Sequence, residues 1–345
     1  GATPAVTGTV GLDNYGNRYT GKVRAAGAVN FIDPLHHGDI LSLSALSSGR
    51  GLDYARAGYE SLLNGQGTRV GGAYSAVRYI LGDTMAALNS HGTAQVASLW
   101  VKHPIVRSRD INLYGQLQYD RKQLRDRIDA SAIRTDRHLD NWVLSLSGDL
   151  RDALLSGGVN TWSLGWTSGR VGFDDAAAQA ADAGTAKTQG SFSKWNANFS
   201  RLQALTATNA LYFTAAAQWA NANLDSSEKM VAGGPYTVRA YDVGAMSGDT
   251  GYTGTVELRH DFGEAGYGQW QALAFIDSAH VTVNKKPWVV EANSATLTGA
   301  GVGFNWIGSG QWQAKAYVAS RLGSAPALVG ASSATRAWIE VGKGF

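Results

Sequence analysis

The sequence predicts an all-β protein, a transmembrane β-barrel of 16 antiparallel strands. Three observations point there. The chain combines 43 Gly, 11 Trp and 14 Tyr with only 17% charged residues, a mixture that suits many strands, tight turns and aromatic girdles better than a helical enzyme. Apolar and polar residues alternate with a period of two almost from end to end. No segment has the roughly 20 apolar residues of a spanning helix; the long uncharged stretch Ala292 to Ala314 is full of Gly, Ser, Asn and Thr. A chain that crosses a bilayer without such helices must close its strands, because only helices and closed barrels satisfy every backbone polar group in hydrocarbon.

Taken in order, strands are expected near 5–13 and 18–31, followed by the short turn "DPLHHGD". The next pair lies near 39–48 and 52–63, ended by "NGQGT". Five more follow near 68–81, 93–104, 110–126, 137–151 and 157–170, up to the long Ala-rich connection "DDAAAQAADAGTAKTQ", which reads as a helical turn or a mobile segment. Strands near 190–205 and 208–222 flank the turn Thr206–Asn209. After a second long connection come 251–263, 267–281, 295–307, the turn "GSGQ", 311–321 and 335–345. The count is even, as bacterial single-chain barrels require, and short turns alternating with long loops fit a periplasmic and an extracellular side.

The faces are legible in three of these strands. In "GYTGTVELRHDF", Thr253, Thr255, Glu257, Arg259 and Asp261 share one face, and Val256, Leu258 and Phe262 the other. In "QWQAKAYVASRL", Trp312 and Val318 oppose Lys315; in "TRAWIEVGKGF", Ile339 and Val341 oppose Glu340, while Trp338 and Lys343 break the pattern. A soluble sandwich has the same alternation with its charged face in water. Strands of about 10 to 15 residues favour the membrane reading, because soluble sheets average five or six. Glu257, Arg259, Lys315 and Glu340 are then expected to face a hydrated lumen, and Trp312, Val318, Ile339 and Val341 to face lipid.

Other chemistry is thinly represented. The absence of Cys removes disulfide frameworks and thiolate sites. A net charge of +3, with basic residues spread along strands, argues against nucleic acid. His36 and His37 sit in a predicted turn without further ligands at metal-site spacing, so no metal and no cofactor is expected. No G-x-S-x-G or H-E-x-x-H motif occurs, and no catalytic residue is assigned. The start "GATPAVTGTVGL" has neither the basic beginning nor the apolar core of a secretory leader.

The second long connection, "PYTVRAYDVGAMSGDTGYTG", stands apart, because a bulky Val238-Arg239-Ala240-Tyr241 group interrupts a Gly-rich segment. One reading is a surface loop. The other is a loop folded back into the lumen, where Arg239 would need a carboxylate partner. Asp277, on the same face as Phe275 in "FIDSA", is the one acid on its strand and could accept two parallel hydrogen bonds.

Four segments together resemble the transporters of two-partner secretion, the TpsB family that includes the haemolysin, filamentous-haemagglutinin and contact-dependent toxin transporters. "LDNYGNRYTGKVR" with "DPLHHGDILSLS" is similar to that family's first hairpin and turn. "GGPYTVRAYDVGAMSGDTGYTGTVELRHDF" is similar to its sixth extracellular loop and twelfth strand, with Val238-Arg239-Ala240-Tyr241 on the V-R-G-F/Y tip. "FIDSA" places Phe275 and Asp277 on the F-x-D-x-G wall motif, and Phe345 matches the terminal aromatic residue read by the barrel-assembly machinery. The resemblance implies a lumen-folded loop anchored by Arg239 and Asp277, and a pore that passes an unfolded TpsA exoprotein (adhesin, haemolysin or toxin) from periplasm to surface. Outer-membrane lipid and lipopolysaccharide are its implied surroundings. Residues 1–345 then correspond to the barrel domain alone, since the family's plug helix and two POTRA domains have no counterpart in this sequence. Ala240 and Ala279 replace the family's tip and wall glycines, and a left-handed tip would strain Ala240. The competing readings are a barrel insertase of the same superfamily, a passive porin and an outer-membrane enzyme.

Overall fold

The computed structural model describes residues 3–345. The chain forms β1 (Val6–Asp13), β2 (Arg24–Ile32), β3 (Ile40–Ser47), β4 (Leu52–Leu62), β5 (Arg69–Ile80), β6 (Ser90–Arg107), β7 (Ile111–Ile128), β8 (Ile133–Asp152) and β9 (Gly158–Phe173). A short helix α1 (Ala176–Ala183) precedes β10 (Gly190–Ala204) and β11 (Asn209–Ala220). A small ribbon of β12 (Met230–Ala232) and β13 (Met246–Gly248) lies within the next connection. The chain ends with β14 (Thr250–Glu264), β15 (Gly268–Thr282), β16 (Ser294–Gly308), β17 (Trp312–Arg321) and β18 (Thr335–Gly344).

All strands except β12 and β13 join one closed antiparallel barrel, each pairing with its neighbour in sequence. The expected 16-stranded barrel is therefore the observed one. It closes where β1 meets β18, from Thr9 opposite Gly344 to Asp13 opposite Glu340, and Gly8 and Phe345 exchange backbone hydrogen bonds of 2.9 and 3.0 Å at the edge. Closure removes the unpaired edges of an open sheet.

The alternation resolves as expected. Trp312, Val318, Ile339 and Val341 are exposed on the outer face. Two aromatic girdles bound the apolar band: Trp142, Trp166, Trp195, Trp219 and Tyr252 towards the long-loop end, and Trp270, Trp306 and Trp312 towards the short-turn end. Lys343 leaves the band at that lower girdle and lies 5.4 Å from the Trp312 ring centroid, which accounts for one of the two irregularities in the last strand.

Element bounds differ where local chemistry intervenes. β2 begins at Arg24 because Asn17 and Gly21 build a turn first: the Tyr19 amide donates to Asn17 Oδ1 at 2.8 Å, and Gly21 takes a left-handed φ of 115°. β6 runs past Pro104 through a bulge between Pro104 and Val106, where a residue without an N–H is tolerated. The turn "DPLHHGD" is organised by its acids: Asp39 is buried and accepts from the Leu35 and His37 amides and from the Tyr59 hydroxyl, while Asp33 accepts from Gly38 N. The Ala-rich connection is helical, capped by the Asp175 carboxylate accepting from Ala177 N at 3.1 Å.

Candidate functional site

The connection 221–249 turns into the barrel. Beyond the β12–β13 ribbon, Gly233 and Gly234 (φ 105° and 113°) and Gly244 (φ 73°) supply the left-handed turns that reverse the chain around its tip. Gly248 and Gly251 serve differently: a Cβ on either would sit 2.3–2.4 Å from a carbonyl oxygen of β15, so these glycines allow close approach of the loop to the wall.

Arg239 reaches Asp277 on β15. Its Nε and Nη2 donate to the two carboxylate oxygens at 2.9 Å each, and its backbone N–H donates to the same carboxylate at 3.1 Å. Nη1 lies 2.8 Å from Glu257 Oε1 on β14, and Arg259 meets the other Glu257 oxygen at 2.8 Å. Thr255 donates to Asp277 at 2.7 Å. The guanidinium carbon sits 3.4 Å from the Phe275 ring centroid and 5.1 Å from that of Tyr317. Two cations and two anions alternate in this row, so the buried group is neutral as a whole. Asp277 has no solvent exposure and Arg239 almost none. Burial opposes the Arg239 charge, and the adjoining Asp277 and Glu257 carboxylates outweigh it, holding the guanidinium more firmly protonated than a free arginine.

The tip fits because the wall opposite lacks side chains. Gly299 and Gly301 on β16 stand opposite Asp277 and Phe275 in register. A Cβ on Gly299 would lie 2.4 Å from the Ala240 methyl, and one on Gly301 would lie 2.6 Å from the Phe275 ring. Ala240 occupies the space left at Gly299 and has no left-handed φ, so the strain expected for it is absent. Val238, Ala240 and Tyr241 pack with Phe275, Ala279 and Leu297 in one apolar cluster. Trp338, the second irregularity of the last strand, points inward and donates from Nε1 to the Arg239 carbonyl at 2.8 Å.

Sequence reasoning missed a second attachment at the start of the loop. Asp225 is gripped by Arg137 of β8, which also contacts Asp126 at 2.7 Å and Ser226 at 3.0 Å. Glu228, three residues on, lies 2.6 Å from Lys122 of β7 and 2.8 Å from Lys194 of β10. Burial opposes the Glu228 charge, but the two lysines outweigh it and hold its carboxyl below the usual range. The available signal was parity: Lys122, Arg137 and Lys194 fall on inward positions, and "DSSEK" places two acids close together in a loop. The loop therefore crosses the lumen from the β7–β10 wall to the β14–β18 wall. Of the other lumen residues assigned from sequence, Lys315 and Glu340 stand opposite each other on β17 and β18 and, among the described residues, form no salt bridge with Arg239 or Asp277. Phe345 is half exposed at the short-turn edge.

A closed barrel with an outward apolar band, paired aromatic girdles and a loop ion-paired within its lumen defines a bacterial outer-membrane β-barrel protein. The chain belongs to the haemolysin secretion/activation protein family ShlB/FhaC/HecB, whose description matches residues 2–306. Similar curated relatives are the heme/hemopexin transporter proteins HuxB of two Haemophilus influenzae strains, 28% and 29% identical over 252 residues; those residues are 73% of this chain and 44% of each relative, so the chain spans less than half their length. Solved structures similar in fold are CdiB from Escherichia coli (TM-score 0.84, 22% identity, 100% of this chain and 64% of that one) and CdiB from Acinetobacter baumannii (TM-score 0.76, 18% identity, 100% and 61%). BamA from Haemophilus ducreyi lacking POTRA domains 1-3 is more distant, with a TM-score of 0.68 and 13% identity over 99% of this chain and 71% of that one.

Proposed function

We propose that the chain is the barrel domain of an outer-membrane transporter that passes a TpsA exoprotein from periplasm to cell surface by two-partner secretion, with the barrel-assembly machinery inserting it through Phe345. The observation that carries this reading is the Arg239–Asp277 attachment, which holds a long loop across an otherwise polar lumen. A passive porin has no need for a crossbar with desolvated charges at both ends, and membership of a secretion family favours export over insertion and over catalysis.

The test is secretion itself. In cells producing the full-length transporter and its exoprotein, Arg239→Ala and Asp277→Ala should each reduce surface-released exoprotein at unchanged barrel abundance. Normal secretion by both variants would remove the loop from the mechanism. Unimpaired passage of small solutes together with no exoprotein dependence would favour the porin.

A further inference from the structure

The outer face of β7 changes character abruptly. Inward Lys122 meets the loop in the lumen, so by alternation the odd-numbered residues face outward. These run from Ile111 through Leu113, Gly115 and Leu117 to Tyr119, and then become Arg121, Gln123, Arg125 and Arg127. At ~3.4 Å per residue and a tilt of ~40°, the run from Ile111 to Tyr119 rises roughly 21 Å, close to the ~25 Å apolar band of such barrels. Trp142 of β8 stands opposite Tyr119, with ring centroids 5.1 Å apart, and marks the same level. The arginines therefore begin where hydrocarbon ends on the long-loop side.

Five arginines stand there against the carboxylates of Asp129, Asp136, Asp140 and Asp174, so the cations remain in excess. Arg121 pairs with Asp140 at 2.9 Å, and Arg127 pairs with Asp136. Arg125, Arg134 and Arg170 are exposed and, among the described residues, form no salt bridge. Arg134 stands directly opposite Arg127 in the register, and Arg170 stands opposite Asp140, which Arg121 already occupies. Like charges facing each other across strands destabilise a sheet, unless an anion lies between them. The feature is local: on the far side of the barrel, the outward positions at this level are Thr250, Thr282, Ser294 and Thr296.

We propose that this arginine face of β7–β9 binds the phosphate groups of lipopolysaccharide in the outer leaflet. The planar guanidinium matches phosphate with two parallel hydrogen bonds, and the aromatic girdle beneath places the acyl chains alongside. Each basic side chain beside an anionic lipid surface strengthens binding roughly fivefold, so three act together by about 100-fold. This inference rests on the outer-membrane location and is independent of what passes through the lumen.

The experiment uses the full-length protein in detergent, titrated with lipid A carrying both phosphates and followed by native mass spectrometry. Wild type should bind it, should bind enzymatically dephosphorylated lipid A far more weakly, and should be unaffected by free inorganic phosphate at the same concentration. The variant R125Q/R134Q/R170Q should lose about 100-fold in affinity, while T250Q/T296Q on the far side should not. Heat-dependent gel mobility checks that each variant is a folded barrel; should the triple variant fail that check, the phosphorylated and dephosphorylated lipids compared on wild type still decide. Equal binding of the two lipids, unchanged affinity in a folded triple variant, or effective competition by free phosphate would overturn the proposal.

Discussion

Replacing Arg239 by alanine removes the only loop-borne cation from a buried row that also contains Asp277, Glu257 and Arg259. Asp277 keeps its Thr255 hydrogen bond and loses the two donated by the Arg239 guanidinium, while the third comes from the backbone N–H of residue 239. The backbone donor survives the substitution only if the loop stays in place. Leaving one partner of a buried pair unmatched costs about 3–5 kcal/mol. A factor of ten accompanies each 1.4 kcal/mol, so detachment of the tip should become about two to three and a half orders of magnitude more frequent. The chain has no cysteine, which makes a single reporter thiol unambiguous. Val238→Cys places that thiol at a position with no solvent exposure in the attached state. Labelling by a membrane-impermeant maleimide should be very slow in this background and should accelerate by about 100-fold or more when Arg239→Ala is added. Arg239→Lys should fall between, because an ammonium keeps the charge and loses the fork. Adding Asp277→Ala to Arg239→Ala should accelerate labelling by less than the two single effects combined, since both remove one interaction. Labelling rates that stay the same in Arg239→Ala, or effects that simply add, would refute the argument that the pair holds the tip.

Three further outcomes are expected. Gly299→Ala should dislodge the tip, at a cost of about 1–3 kcal/mol for overpacking, and Ala240→Gly should restore it; the same thiol assay reads both. Glu228 is held below the ordinary glutamate range of about 4.3, so its contribution is complete at neutral pH and is lost as pH falls through that lowered value; loop proteolysis should increase only in strongly acidic buffer, and Glu228→Gln should show the increase already at pH 7. Deleting Phe345, which exchanges backbone hydrogen bonds with Gly8 at the closing seam, should reduce barrel yield in outer-membrane fractions, and normal yield would count against its role in assembly.

The barrel was legible because a membrane imposes a rigid grammar. Each strand must alternate, so once strand length had favoured the membrane reading, the outward Ile339 and Val341 and the inward Glu340 followed from their order. The tip attachment was legible through the family resemblance: the residues alone left Arg239 open between a surface loop and a lumen anchor, and the match of the Val238-Arg239-Ala240-Tyr241 tip and of "FIDSA" to that family's motifs pointed to Asp277. Other features needed three dimensions. Gly299 and Gly301 look like ordinary strand glycines until the register sets them opposite Asp277 and Phe275. Trp338 read as a break in the pattern because an inward tryptophan makes sense only once a loop carbonyl lies within reach. The partners Asp225–Arg137 are separated by 88 residues, and sequence spacing carries no trace of the closed circuit that brings them together.

The two attachments have opposite polarity. At the tip the loop contributes a cation and the wall contributes acids; at the stem the loop contributes acids and the wall contributes Lys122, Lys194 and Arg137. On the proposed function, a passing segment rich in lysine would compete for the carboxylates at both ends, Asp277 and Glu257 at the tip and Asp225 and Glu228 at the stem. An acidic segment would compete for the cations at both ends, Arg239 of the loop at the tip and Lys122, Lys194 and Arg137 of the wall at the stem. Breaking either end exposes buried charge, and breaking both at once would add two penalties of several kcal/mol each. The low-energy way to move this loop is therefore to swing it about one retained end, which keeps half of its buried charges matched while the lumen opens.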